Sequence, residues 1–144
     1  MSSVAFHLQV SDKVGYTCRL VRKAVAKGSR LMVRADAITL EQLDLALWQF
    51  SAIDFLPHCA ASAPANVLRR SPVLLSESRL AAPDPTMILV NLGIDMPPDF
   101  ADFSRVIEVV SEEDQDKQQA RQRWKNYAAA GIKPVKYELG SASA

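Results

Sequence analysis

The stretch VAFHLQVSDKVGYTCRLVRKAVAKGSRLMVRA, residues 4–35, decides the fold. Val4 to Val10 is a short apolar-rich run that stops at Ser11 and Asp12, residue types whose side-chain oxygens cap a following helix. From Lys13 to Lys27 the apolar positions Tyr16, Leu20, Val21, Ala24 and Val25 keep helical spacing, and Gly28 stands where a left-handed C-cap ends the run. Arg30 to Ala35, carrying Leu31, Met32 and Val33, reads as a second strand. Beyond it, Asp36 or Thr39 opens a helix through Leu40, Leu43, Leu47 and Trp48. Two strands joined by a helix of this length predict parallel pairing of those strands through a right-handed crossover. The chain therefore opens βαβα.

Working outward, Ser51 to Arg70 mixes Ile53, Phe55 and Leu56 with Pro57, Pro64 and small residues, and reads as a long ordered loop. Val73 to Leu75 is a brief strand, and Met87 to Leu92 is a continuous apolar run suited to a central strand covered on both faces. Pro97, Pro98, Phe100 and Phe103 predict a short helical turn before a last strand over Arg105 to Val110. Glu112, Glu113 and Asp114 suit the start of a final helix that runs to about Ala130, with Gly131 as its stop. The expected fold is a single α/β domain over residues 1–139, an open, mostly parallel sheet flanked by helices, with a flexible tail at 140–144.

With 144 residues, of which 49% are hydrophobic, the chain can bury one full core. A net charge of +1 argues against neutralising many phosphates of a duplex, so any anion recognition is local. Cys18 and Cys59 lack metal-ligand spacing and read as buried reduced thiols, which suggests the cytoplasm. No basic leader and no apolar run of membrane-spanning length is present.

Enzyme signatures are missing where this fold class would carry them. The first strand-to-helix turn, Val10 to Gly15, has neither a G-x-G-x-x-G nor a phosphate-loop pattern, giving a Rossmann-like topology without a nucleotide-binding loop. His7 and His58 have no clustered carboxylates, and His58 beside Cys59 does not by itself aim a base at a nucleophile. No catalytic residue, metal site or cofactor is expected.

Two surfaces stand out instead. Lys117, Arg121, Trp124 and Lys125 fall within an arc of roughly 100° on the final helix, placing three cations and an indole on one face that suits an anionic partner. Such charge runs often only solvate a helix, but an idle indole among cations costs solubility, so Trp124 either tucks into the fold or floors a pocket. The second surface gathers Trp48 and Phe50 with Phe55, Leu56 and Pro57, either a satellite cluster that pins the loop or an anchor for an apolar partner.

The block Asp116 to Tyr127, followed by Ala130-Gly131, resembles the C-terminal helix of the chi subunit of bacterial DNA polymerase III. Segments agreeing in order are Ala5 to Leu8, Gly28 to Val33, Leu43 to Trp48, Phe55 to His58, Pro72-Val73, Ile88 to Leu92 and Phe100 to Phe103, so the likeness covers nearly the whole chain. The resemblance implies a non-catalytic accessory subunit of the clamp loader that binds the psi subunit on one surface and the single-stranded DNA-binding protein on another. It also implies roles for the cationic face. The partner's tail is acidic and ends in Pro-Phe with a free carboxylate, so Arg121 would take that carboxylate, Lys117 and Lys125 the flanking acids, and Trp124 would wall the ring's slot. Psi contact would fall to Trp48, Phe50, Phe55, Leu56 and Pro57. Nucleic acid would be met only indirectly, and no membrane is involved.

This sequence departs from the family's usual pattern in two places. Trp124 stands where a tyrosine is more common, and only Ser111 to Asp114, a shorter and more acidic segment, precedes the final helix. The alternative reading is a direct single-stranded nucleic-acid binder that uses Trp124 as a stacking platform. A third keeps the fold as a degenerate nucleotide hydrolase.

Overall fold

The computed structural model describes residues 3–49, 58–60, 72–77 and 86–138. Phe50, Phe55, Leu56 and Pro57, the greater part of the expected 51–70 loop and the 140–144 tail lie outside these residues. In chain order the elements are β1 (Ser3–Val10), α1 (Lys13–Ala26), β2 (Leu31–Arg34), α2 (Ala37–Gln49), β3 (His58–Ala60), β4 (Val73–Ser76), β5 (Ile88–Asn91), β6 (Arg105–Ser111), α3 (Asp114–Ala129) and β7 (Val135–Glu138). A 3-10 turn, Phe100–Asp102, sits where the proline pair predicts one. The strands form one sheet of order β3-β4-β2-β5-β6-β1-β7, and every pairing is parallel.

The helix ends follow local chemistry. Asp12 caps α1 by accepting the Gly15 N–H at 3.1 Å, and of the two candidates for α2 it is Asp36 that accepts the Thr39 N–H, at 2.7 Å. A Cβ at Gly15 would meet the Asp12 carboxylate, which would have to shift to make room for it. At the other end of α3, Gly131 takes φ +87°, the Ile132 N–H reaches Tyr127 O at 3.0 Å and the Gly131 N–H reaches Ala128 O at 3.0 Å, closing the helix in a Schellman motif.

Three expectations are corrected. β1 and β2 do not pair with each other, because β5 and β6 lie between them. The physical reason is burial: the two-faced apolar run of β5 takes the middle of the sheet, whereas β1, with His7 and Gln9 more exposed, takes a place near the rim. His58–Ala60, read as loop, forms a strand beside β4. A seventh strand, β7, follows the final helix and pairs with β1.

Helices α1 and α2 cover one face of the sheet, packing Val21 and Leu43 over Val33, Val90 and Ile107. Cys18 is buried there as a free thiol whose pKa burial, and then Asp12, push up to about 11. The opposite face, with Phe6, Met32, Leu89, Val106 and Val110, is covered by α3 and the 3-10 turn region through Ala120, Tyr127 and Phe103. Near the end of β1 the register advances by three residues, His7 to Val10, against two on β6, with Gln9 at φ +60°. That bulge reverses the alternation, so Phe6 and Leu8 face α3 while Val10 points into the α1 side.

Polar side chains fix α3 on its face. Glu108, Arg123 and Tyr127 are 0%, 1% and 0% exposed. The Glu108 carboxylate accepts from Arg123 Nε at 3.0 Å, from the Tyr127 hydroxyl at 2.7 Å and from Asn91 Nδ2 at 2.9 Å. Arg123 Nη1 also donates to Ile94 O at 2.8 Å. Burial raises the Glu108 pKa, and the Arg123 charge and these donors work against that rise; burial, and then the Glu108 carboxylate, raises that of Tyr127. At the start of α3, Asp116 Oδ2 accepts the Ser111 N–H at 2.7 Å and Lys13 Nζ at 3.2 Å, and the same ammonium reaches Leu92 O at 3.2 Å.

Removing Arg123 leaves a buried carboxylate without its counter-charge, so Arg123→Met is expected to cost about 3–5 kcal/mol, against about 1–3 kcal/mol for Tyr127→Phe, as read by urea unfolding. For Asp116, burial favours the acid, but the Ser111 N–H and the Lys13 charge outweigh it and hold the pKa below its ordinary value. A carboxyl depressed in the folded state contributes stability above the ordinary carboxylate range and loses it as pH falls through the folded value. Wild type should therefore lose stability more steeply than Asp116→Asn between about pH 5 and about pH 2, measured by thermal unfolding.

Candidate peptide-binding groove

All four residues singled out on the final helix border one open groove of about 500 Å³. Its floor is the β1 surface at Phe6 and Leu8 with Val110, and α3 forms one wall through Lys117, Ala120, Arg121, Trp124 and Lys125. Lys136 and Glu138 of β7 also line it. Trp124 both tucks inward and lines the groove. It is half-buried, with its ring centroid 5.1 Å from that of Phe6 at a tilt of 47°, so the indole is braced against the sheet. Arg121 and Lys125 are exposed and Lys117 is half-buried, so cationic heads rim an apolar slot.

Rotation of α3 about its own axis sets this arrangement. Ala120, Arg123 and Tyr127 are the buried positions, at helical spacing, and fixing them against the sheet leaves Lys117, Arg121 and Lys125 at the edge of the covered face. Arg123 is thus a framework residue although it adjoins Trp124 in sequence: both its Nε and its Nη1 are spent inside the fold.

Lys136, Glu138 and Gln9 are groove residues that the sequence pattern left out. The signal for β7 was the alternation Val135-Lys136-Tyr137-Glu138 just after Pro134, a period of two across only four residues. Gln9 enters the rim through the bulge, a feature of strand pairing and therefore absent from local sequence.

The second aromatic surface is brought together only in part. Trp48 is 55% exposed on α2 and shares a helix face with Leu45, 57% exposed, and Ile38, 71% exposed. His7 is half-buried; its Nδ1 shares a hydrogen bond with the Tyr16 hydroxyl, and its ring meets Tyr16 and Tyr137 edge-on. Burial, and then the Arg105 charge, lowers its pKa.

The crevice where open α/β sheets hold their ligands, outside the carboxyl ends of β1, β2, β5 and β6, has about 440 Å³ and is lined by Asp12, Lys13, Asp36, Glu113 and Asp116. Helix N-terminal amides that could receive a phosphate are already bonded to the chain's own carboxylates, Gly15 N to Asp12 and Thr39 N to Asp36. Four carboxylates, Asp12, Asp36, Glu113 and Asp116, against one ammonium, Lys13, make the charge there mostly negative. Among the described residues no group of three or more His, Cys, Asp or Glu side chains comes close enough to hold a metal, and no helix is long and apolar enough to cross a membrane.

Residues 1–135 match the family described as DNA polymerase III chi subunit, HolC. The chain is 33% identical over 124 residues to the DNA polymerase III subunit chi of Pseudomonas aeruginosa, covering 84% of this chain and 82% of that protein. It is 31% identical over 118 residues to the subunit of the same name from Escherichia coli, covering 80% of this chain and 78% of that one. With a family match over residues 1–135 and two relatives of that name at 31–33% identity, this chain belongs to the DNA polymerase III chi subunit family.

Proposed function

We propose that the chain is a non-catalytic accessory subunit of the DNA polymerase III holoenzyme, working in the cytoplasm, which joins the clamp loader, through the psi subunit, to the acidic C-terminal tail of single-stranded DNA-binding protein. The observation that carries the reading is the groove: an apolar slot of Phe6, Leu8, Val110 and Trp124 rimmed by Lys117, Arg121 and Lys125. A peptide ending in Pro-Phe and a free carboxylate needs a slot for a ring, a cation for the terminus and further cations for the acids before it. Arg121 takes the terminal carboxylate, Lys117 and Lys125 meet the acidic residues, and Trp124 walls the ring's slot. One buried ring and a few partly exposed ion pairs support affinity on the order of micromolar that weakens with salt. Weak contacts multiplied over many tails suit a polymerase that moves among coated templates.

For psi, the Ile38, Leu45 and Trp48 stripe of α2 is the supporting surface, because exposed apolar side chains on one helix face mark an interaction site. It lies on the helix that packs on the sheet face opposite α3, so both partners can be held at once.

A fluorescent peptide with acidic residues and Pro-Phe-carboxylate is expected to bind wild type at about micromolar Kd, and to lose at least about tenfold on Arg121→Ala or on amidation of its end. A single-stranded oligonucleotide alone is expected to bind feebly; tight, salt-sensitive oligonucleotide binding with no response to the peptide would favour the nucleic-acid reading instead. Leu45→Ser with Trp48→Ala should weaken co-purification with psi and leave the peptide titration unchanged.

A further inference from the structure

The strand that sequence periodicity leaves out forms the opposite wall of the groove. β7 runs parallel to β1, with Lys136 beside Phe6 and Glu138 beside Leu8. β6 and β7 point the same way in one sheet, so α3, which joins them, travels back from the carboxyl ends of the strands to their amino ends. Lys117, in the first turn, lies accordingly toward the Leu8 and Glu138 end. Trp124, two turns later, lies at the Phe6 and Lys136 end, as its contact with the Phe6 ring requires.

Charge along the groove is therefore uneven. At the Trp124 end both walls are cationic, with Arg121 and Lys125 on the helix and Lys136 on the strand. At the Lys117 end a cation faces an anion, Glu138. Lys136 Nζ lies 3.7 Å from Glu138 Oε1, and the two side chains are 64% and 55% exposed, so Lys136 can leave this pair without stranding a buried charge.

From this asymmetry we infer that Lys136 and Glu138 set the specificity and direction of the acidic tail in the groove. Lys136 is a further ligand for the tail's carboxylates at the Trp124 end, opposite Arg121. Glu138 repels acids from the strand wall at the other end, where Lys117 on the helix wall is left to meet one, so that a tail laid with the bulk of its acids there puts most of its negative charges against a negative side chain. The inference rests on the groove being a peptide site. It adds to that reading a second wall with a cation and an anion of distinct roles.

The test is an anisotropy titration of wild type, Lys136→Ala, Lys136→Arg, Glu138→Gln and Arg121→Ala. The probes are the acidic Pro-Phe-carboxylate peptide and a second peptide whose upstream acids are replaced by amides. Lys136→Ala is expected to weaken the acidic peptide about threefold, Lys136→Arg to restore it, and Glu138→Gln to tighten it about twofold to threefold. The gain from Glu138→Gln should vanish with the second peptide, which retains the terminal carboxylate but has no upstream charge to repel. Wild-type affinity in both Lys136→Ala and Glu138→Gln, alongside loss in Arg121→Ala, would overturn this inference while leaving the groove reading intact, and would reduce Lys136 to a residue that blunts the sheet edge. A wild type that ignores both peptides would overturn the groove reading, and the inference with it.

Discussion

A carboxylate sealed under a helix holds this molecule in shape. Glu108 stands on β6 in a cross-strand row that runs Ser76, Arg34, Asn91, Glu108, Phe6 and Lys136, each residue beside the next in register. A row so polar cannot lie under a helix unless every charge is answered. Arg34 is answered by Asp99, with its Nη2 2.9 Å from Oδ2, while Glu108 is answered by Asn91, Arg123 and Tyr127. The last two are four residues apart on α3, so satisfying Glu108 selects both the rotation and the axial position of that helix. The groove is a product of this selection: once Arg123 and Tyr127 point down, Lys117, Arg121 and Lys125 emerge along the groove edge.

The same row shows how one strand register serves two purposes. Its middle is a sealed polar network and its end is Phe6 and Lys136, which face the groove. Phe6 also touches Tyr127 edge-on, with ring centroids 5.9 Å apart, and Trp124 on its other flank. Packing thus passes without a break from the interior to the floor of the binding surface, which keeps the slot preformed.

The crevice at the carboxyl ends of the strands is lined chiefly by acidic and polar side chains. Asp12 and Asp36 each accept one amide of their own helix N-terminus, and Lys13 ties Asp116 to Leu92, just past β5. Those carboxylates stabilise α1 and α2 as caps and, by their charge, make that crevice mostly negative. The groove itself lies on the flank of the sheet, between α3 and β7.

Much of this was legible in the chain. Helix stops at Gly28 and Gly131, caps at Asp12 and Asp36, the buried run of β5 and the cationic arc with Trp124 all follow from residue type and spacing, because capping, left-handed turns and helical periodicity are local effects. Strand order did not follow: parallel direction is implied by a connecting helix, but the neighbour is chosen by which run must be buried on both faces. Nor did the roles of Glu108 and Arg123, which look like surface charges until β6 and α3 are brought together. Lys136 and Glu138 became groove residues through strand pairing, and Gln9 through a bulge, interactions between segments far apart in the chain. The sequence by itself determined the elements, their caps and the helix face that carries the cations; only the tertiary structure decided what lies opposite that face, because pairing and burial are properties of segments meeting in space.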